Sequence, residues 1–295
     1  MKSRSEIVWT EEDIETLICN YGTLSPTECQ AILPNFTVSQ ISAKAARMGL
    51  EGIQDRKHRE NLELLNFSSP YSCYILGYMW ADGCILSKGR GDAQAVNIAT
   101  TEPNNLRGIL QKVSPNWREH TMKHPKQPTW SDCSLFNLGD IRLATTLGAL
   151  GYGPGDKSSA ELILSKIPEE MKRFWLLGLI DGDGCFYYNE KYRLRQFQIT
   201  SNIEQDWAPI EKLFDSLGVE WSIDRRTTVK LGKKRSNIRV FGRKNLQKLG
   251  DYIYSSFLED GIGMQRKYDK LQECLEVKPI NRGPDCTTRR DSHIP

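Results

Sequence analysis

Apolar residues at helical spacing open the chain. Ile14, Leu17 and Ile18 recur with the period of a helix. Thr10 stands before them as an N-cap, and Glu11, Glu12 and Asp13 suit the first-turn dipole. Gly22 ends that helix. Ser25-Pro26 starts a second, with Ala31, Ile32 and Leu33 on its apolar side and Pro34 closing it. Thr37 to Met48 predicts a third, with Val38, Ile41, Ala45 and Met48 inward and Gly49 as its cap. Its other side carries Ser39, Gln40, Ser42, Lys44 and Arg47, a polar and basic face that fits a major groove. Residues 1–52 are therefore expected to form a small all-α domain. Residues 53–68 are charge-rich and read as a linker, with a short helix through Asn61 to Leu65.

From residue 69 the pattern runs through one order of elements twice. In the first half, 69–164, a helix covers Pro70 to Asp82 and strands cover Cys84 to Ser87 and Ala95 to Thr101, turned by KGRGD. A helix, Asn104 to Val113, follows. Strands near Trp117 to Lys123 and Trp130 to Leu138 come next, and a helix, Asp140 to Leu150, closes the half. The second half, 165–276, has a helix from Pro168 to Asp183 and strands Gly184 to Asn189 and Arg193 to Ser201. A helix from Glu204 to Leu217 leads to a hairpin, Trp221 to Lys230 with Asn237 to Phe241, turned by GKKRS. Helices from Lys244 onward end near Glu276. AVNIATTEPNNL (95–106) lies over QFQITSNIEQDW (196–207), each a strand, a polar turn and a helix. Residues 277–295 lack apolar periodicity and read as an extended or disordered tail.

The first helix of each half ends unusually. FWLLGLIDGDGCFYY (174–188) passes from an apolar helix into glycines and aspartates, and YILGYMWADGC (74–84) repeats the pattern. Gly77 and Ala81, like Gly178 and Gly182, are four residues apart and share one helix face. Glycine inside a helix costs ~1 kcal/mol relative to alanine, so these positions predict close backbone approach of two helices. Asp82 and Asp183 would then emerge side by side. Two adjacent carboxylates raise each other's pKa unless a cation lies between them. Hard oxygen ligands select Mg²⁺ or a similar ion, which beside a phosphodiester polarises it and activates water. Gly83 and Gly184 are expected to permit the sharp exit into a strand. Taken alone, one such motif reads equally well as a packed helix with capping aspartates; its duplication with matching flanks favours the paired site.

Composition narrows the setting. The 295 residues are 39% hydrophobic and 26% charged, as in a globular chain of two or three domains. No apolar run reaches the ~20 residues of a membrane span, and MKSRSEIVWTEED has no apolar core of a secretory signal. The eight cysteines form no C-x-x-C pair, so reduced thiols in an intracellular compartment are expected, without zinc or disulfides. The net charge is only +3, but Arg225 to Lys248 holds ten basic residues and no acidic one. Such a field holds a polyanion; its plainer reading is a solvated strand face.

Residues 8–50, with their Trp-Thr-Glu-Glu-Asp start and VSQISAKAARMGL helix, resemble the Myb-like or SANT-like helix-turn-helix, some members of which bind protein instead of DNA. LGYMWADG (76–83) and LGLIDGDG (177–184) resemble the two motifs of single-chain LAGLIDADG homing endonucleases, and the resemblance spans residues 69–276. It implies an α+β fold of two pseudo-symmetric αββαββα repeats forming a DNA-binding saddle. It also implies catalytic, metal-binding roles for Asp82 and Asp183, with the Ala81 and Gly182 carbonyls near the metal. Trp80 replaces the usual inner aspartate in the first copy, so Asp181 is assigned a structural or capping role. Further implied are polar residues around the metal, drawn from Thr100, Thr101, Ser201, Asn104 and Gln205, and a basic pair, Lys157 and Lys267. DNA contacts would come from Arg193, Arg195, Gln198, Arg225, Arg226, Lys230, Lys233, Lys234, Arg235 and Arg239, with Lys44 and Arg47 in the first domain. The activity implied is site-specific cleavage of double-stranded DNA at a long asymmetric target by a monomer, with Mg²⁺ or Mn²⁺ and no organic cofactor. The alternatives are an intron RNA maturase and a cleavage-inactive DNA-binding regulator. Intein splicing is not expected, since the sequence shows neither the flanking nucleophile nor the terminal His-Asn pattern.

Overall fold

A computed structural model describes residues 8–276, except 89–91, 123–132, 154–156, 190, 193, 202–203, 229–232 and 256–260. The expected tail and two expected DNA contacts, Arg193 and Lys230, lie outside the described residues.

The chain opens with helices α1 (Glu11–Asn20), α2 (Pro26–Ile32) and α3 (Val38–Arg47). Each starts at a reciprocal capping box: Thr10 with Asp13, Ser25 with Glu28, Thr37 with Gln40. Their core is Leu17, Cys29, Leu33, Phe36, Ile41 and Ala45, and Trp9 stacks on Phe36 with centroids 3.8 Å apart. Ile18 and Ile32, expected inward, are 51% and 44% exposed. Helices this short present only a narrow stripe, and Leu17 and the Cys29–Leu33 pair occupy it.

The segment expected as a linker is more ordered than that. It forms α4 (Ile53–Asn61) and a 3-10 turn, Leu62–Leu65. Asn61 is buried, donates to Asp140 Oδ2 at 2.9 Å and accepts from Ser114 Oγ at 2.7 Å. His58 Nδ1 lies 2.8 Å from the same Asp140 oxygen, and Leu143 N–H donates to Oδ1 at 3.0 Å. Burial alone would raise the Asp140 carboxyl pKa; the Leu143, Asn61 and His58 contacts outweigh it and hold the group below the ordinary carboxylate value. Asp140 thereby stabilises the fold above its unfolded pKa of ~3.9, and that contribution is lost as pH falls further through its folded pKa. Asp140→Ala is expected to cost about 2 kcal/mol in urea unfolding, since it removes a helix cap and the acceptor for Asn61. Asp140→Asn should flatten the loss of stability at acid pH.

Two repeats follow. The first comprises α5 (Pro70–Asp82), β1 (Gly83–Lys88), β2 (Asp92–Thr100), α6 (Pro103–Val113), β3 (Arg118–Met122), β4 (Cys133–Leu138) and α7 (Ile141–Leu147). After a single turn, α8 (Glu161–Leu164), the second comprises α9 (Lys172–Asp183), β5 (Gly184–Asn189), β6 (Leu194–Ser201), α10 (Ala208–Ser216), β7 (Trp221–Thr228), β8 (Lys233–Phe241), α11 (Arg243–Ile253) and α12 (Gln265–Glu276). The sheets are antiparallel, ordered β1-β2-β4-β3 and β5-β6-β8-β7. This is the α+β fold of two αββαββα units expected from the sequence. No helix of the described residues is long and apolar enough to cross a membrane.

Some boundaries move. Residues 233–236, expected in a turn, belong to β8 and pair with Arg225 to Thr228. The helix expected from Glu204 starts at Ala208, because Asp206 instead bridges to Ser159. The motif helix of the second repeat starts at Lys172, after a 3-10 turn at Glu169–Met171.

The repeats meet along α5 and α9. Helix α5 is buried on every side from Ser72 to Trp80, so it shows no amphipathic stripe. A Cβ on Gly77 would sit 1.8 Å from Trp175 O, and one on Gly178 would sit 2.0 Å from Tyr74 O. One on Gly182 would fall 2.3 Å from Ala81 Cβ. Gly77, Ala81, Gly178 and Gly182 thus form the contact line of the two helices. Gly83 and Gly184 serve differently from expectation. Their φ angles, −88° and −77°, suit any residue. A Cβ there would strike the preceding helical turn, 2.7 Å from Met79 O and 2.6 Å from Ile180 O. Space, not conformational freedom, demands glycine.

Candidate active site

Because α5 and α9 approach so closely, their C-terminal ends fall together. Asp82 and Asp183, last residues of the two helices, line one cavity of about 310 Å³ with Ala81, Lys157, Thr200, Ser201 and Gln205. Both carboxylates reach solvent, yet protein surrounds much of each. This desolvation raises both pKa values. At Asp82 the Lys157 and Lys267 ammonium groups oppose it; at Asp183 the Asp82 carboxylate adds to it and the pKa reaches about 6.

The two lysines occupy equivalent places. Lys157 Nζ donates to Met79 O at 3.1 Å, Ala81 O at 3.3 Å and Gly83 O at 2.8 Å. Lys267 Nζ donates to Ile180 O at 3.3 Å and to Gly184 O. Each therefore binds carbonyls at the C-terminal end of its own motif helix, where the helix dipole favours a cation. Burial lowers both pKa values. Asp183 and Asp82 counter this for Lys157; for Lys267, Arg266 adds to it and Asp181 counters it.

Each lysine segment is fastened to the other repeat. Ser159 Oγ donates to Asp206 Oδ2 at 2.7 Å, and Gln205 Nε2 donates to Ser158 O at 2.9 Å. On the opposite side Arg266 pairs with Glu102, Nη2 to Oε1 at 2.5 Å. Sequence reasoning missed these cross-repeat ties. Asp181 takes no place in the cavity. It is buried between the repeats and accepts from Tyr74 OH at 2.9 Å and Met264 N–H at 2.8 Å. Burial pushes its pKa up to about 7.

The remaining expected residues divide. Ser201 and Gln205 line the cavity, whereas Thr100 does not; its hydroxyl accepts from Tyr78 OH at 3.0 Å. Asn104 is exposed and accepts from Arg107 at 2.9 Å; Thr101 is exposed as well. On the second sheet, Phe197, Ile199, Ile238 and Val240 are buried, so Gln198, Arg239 and Arg235 lie on the opposite, open face. Arg239 ion-pairs there with Asp224 at 2.8 Å. Arg226 shares that register position, opposite Arg235, and Lys233 pairs with Thr228; Arg225 and Lys234 alternate with them. Arg195 departs from expectation. It shares the phase of Phe197, donates to Cys274 O at 2.8 Å and lies 5.3 Å from the Tyr188 ring centroid, which ties it to α12 on the covered face. In the first domain Arg47 is exposed on α3, and Lys44 lies 5.7 Å from the Trp9 ring centroid.

The donor set fits a hard divalent cation. Among the described residues no cluster of three or more acidic, histidine or cysteine side chains gathers. Mg²⁺ does not need one, being held by one or two carboxylates with water and substrate phosphate completing the shell. Asp82 and Asp183 supply those carboxylates. The Ala81 carbonyl is engaged by Lys157.

No family model matches the chain, and no curated protein matches it. Similar solved structures include the homing endonuclease I-WcaI bound to its DNA recognition sequence, with a TM-score of 0.46 at 13% identity over 68% of this chain and 85% of that one. Mesophilic variants of the homing endonuclease I-DmoI give 0.44 at 14% identity over 68% and 99%. A complex of a point variant of I-DmoI with its target DNA in the presence of manganese gives 0.43 at 14% identity over 68% and 98%.

Proposed function

We propose that the chain is a site-specific DNA endonuclease of the LAGLIDADG homing type, cutting both strands of a long asymmetric duplex. The observation that carries this reading is the pairing of Asp82 and Asp183. Two carboxylates from duplicated motifs end two helices in glycine contact, share one cavity and have a lysine beside each helix end. A bound Mg²⁺ would supply Lewis-acid polarisation of the phosphoryl group and a more acidic water. The protein's part is to hold two anionic ligands at a fixed separation, with Lys157 and Lys267 offsetting charge as phosphate enters. Ser201 and Gln205 order water in the cavity. The open faces of both sheets carry the duplex. Helices α1–α3 extend the footprint through Lys44 and Arg47, held by α4.

The test is a plasmid library carrying a randomised site, incubated with the full-length protein in Mg²⁺ or in EDTA. Linear products sharing one asymmetric site, formed only with metal, support the reading. Binding to duplex or to intron RNA without cleavage of any member would replace it with a binding or maturase role.

A further inference from the structure

The open faces of the two sheets differ in chemistry. On the second sheet that face presents Gln196, Gln198, Thr200, Asn237 and Arg239 on its central strands, with Cys185, Leu194 and Phe241 beside them. On the first, Ile85, Val96, Ile98, Phe136 and Leu138 turn to the core. The alternate positions leave Cys84, Leu86, Ala99, Cys133, Leu135 and Met122 on the open side, among the described residues. Leu86 is 44% and Met122 42% exposed. The polar pair at the centre is bonded within itself, Asn137 Nδ2 donating to Asn97 Oδ1 at 2.6 Å, as Gln196 Nε2 donates to Gln198 Oε1 at 2.9 Å on the second sheet. Among the side chains described, Arg118 on the outer strand is the cation of this face, with His120 beside it.

An exposed apolar sheet face needs an occupant, and its position indicates which. Strand β1 leaves Asp82 directly through Gly83, so Cys84 and Leu86 follow that carboxylate along the strand on the open face. A duplex whose phosphate lies at Asp82 must run on over this face. In the major groove the base feature that rewards apolar contact is the C5-methyl group of thymine. The arrangement leads us to propose that the two repeats read DNA by different chemistry: the first selects a thymine-rich half-site through methyl contacts, the second reads its half by hydrogen bonds. This rests on the endonuclease reading above.

The experiment uses the full-length protein and its site selected from a randomised duplex. Gln198→Ala first identifies the half facing the second repeat, as the half whose base preference relaxes. Thymines are then replaced by deoxyuridine, which removes only the methyl group, in one half at a time. Binding is expected to weaken about fourfold per methyl removed in the first-repeat half, by the transfer free energy of one such group. The other half should stay within about twofold. Equal losses in the two halves, or none in the first, overturn the inference while leaving duplex binding intact. A protein that selects no duplex overturns the endonuclease reading and this inference with it. A DNA-free dimer that Leu86→Lys dissolves would give the face to a second copy and overturn it too.

Discussion

Replacing Gly77 with alanine is expected to destabilise the protein by about 3 kcal/mol, at or beyond the usual range for an overpacked core. Two effects compete. Alanine is the better helix former by ~1 kcal/mol, which favours the variant. Against this, the new Cβ would lie 1.8 Å from the Trp175 carbonyl oxygen, and backbone cannot rotate away as a side chain can. The helices would have to part, loosening contacts along both motifs, so the clash wins. Gly178 faces Tyr74 O in the mirror position, so the two alanine variants should couple and not add. Gly108 in α6 provides the control. A Cβ there meets nothing within 4 Å, so Gly108→Ala should raise stability by up to ~1 kcal/mol. Urea unfolding of the full chain separates the cases by sign. A Gly77→Ala protein as stable as the parent would mean that α5 and α9 do not meet at this point.

Much of this was legible in the residues. The motif helices stand out because glycine inside an apolar helix needs a reason, and because pattern and flanks recur about a hundred residues later. The αββαββα order follows from alternation between helical and strand periods. What stayed hidden was long-range and polar. Asn61 and His58 meet Asp140 from about eighty residues away, and no periodicity marks such a contact. A charged stretch therefore read as a linker although α4 packs on the first repeat. The Lys157 and Lys267 positions emerged only from family resemblance, since a lysine in a loop has no local signature until its carbonyl partners are placed. Arg195 was misjudged for a readable reason: Phe197 and Ile199 bury one face of β6, and residue 195 shares their phase.

The second large effect concerns the carboxylates. Asp82→Asn and Asp183→Asn preserve shape and remove the charge that would hold a cation. Metal-assisted stabilisation of phosphodiester hydrolysis is worth several kcal/mol, and ~4 kcal/mol corresponds to about a 10³-fold loss in rate. If each aspartate serves one strand, each variant should lose one cut and retain the other. Neutralising one carboxylate also removes like charge from beside its partner, so neither variant should unfold. The deciding measurement is strand-resolved cleavage of supercoiled plasmid bearing the selected site. The parent should yield linear DNA; Asp82→Asn and Asp183→Asn should each yield nicked circles, with nicks on opposite strands; the double variant should bind the duplex and cut neither strand. Linear product from either single variant at the parental rate, or nicks from both on the same strand, would contradict the paired-carboxylate site.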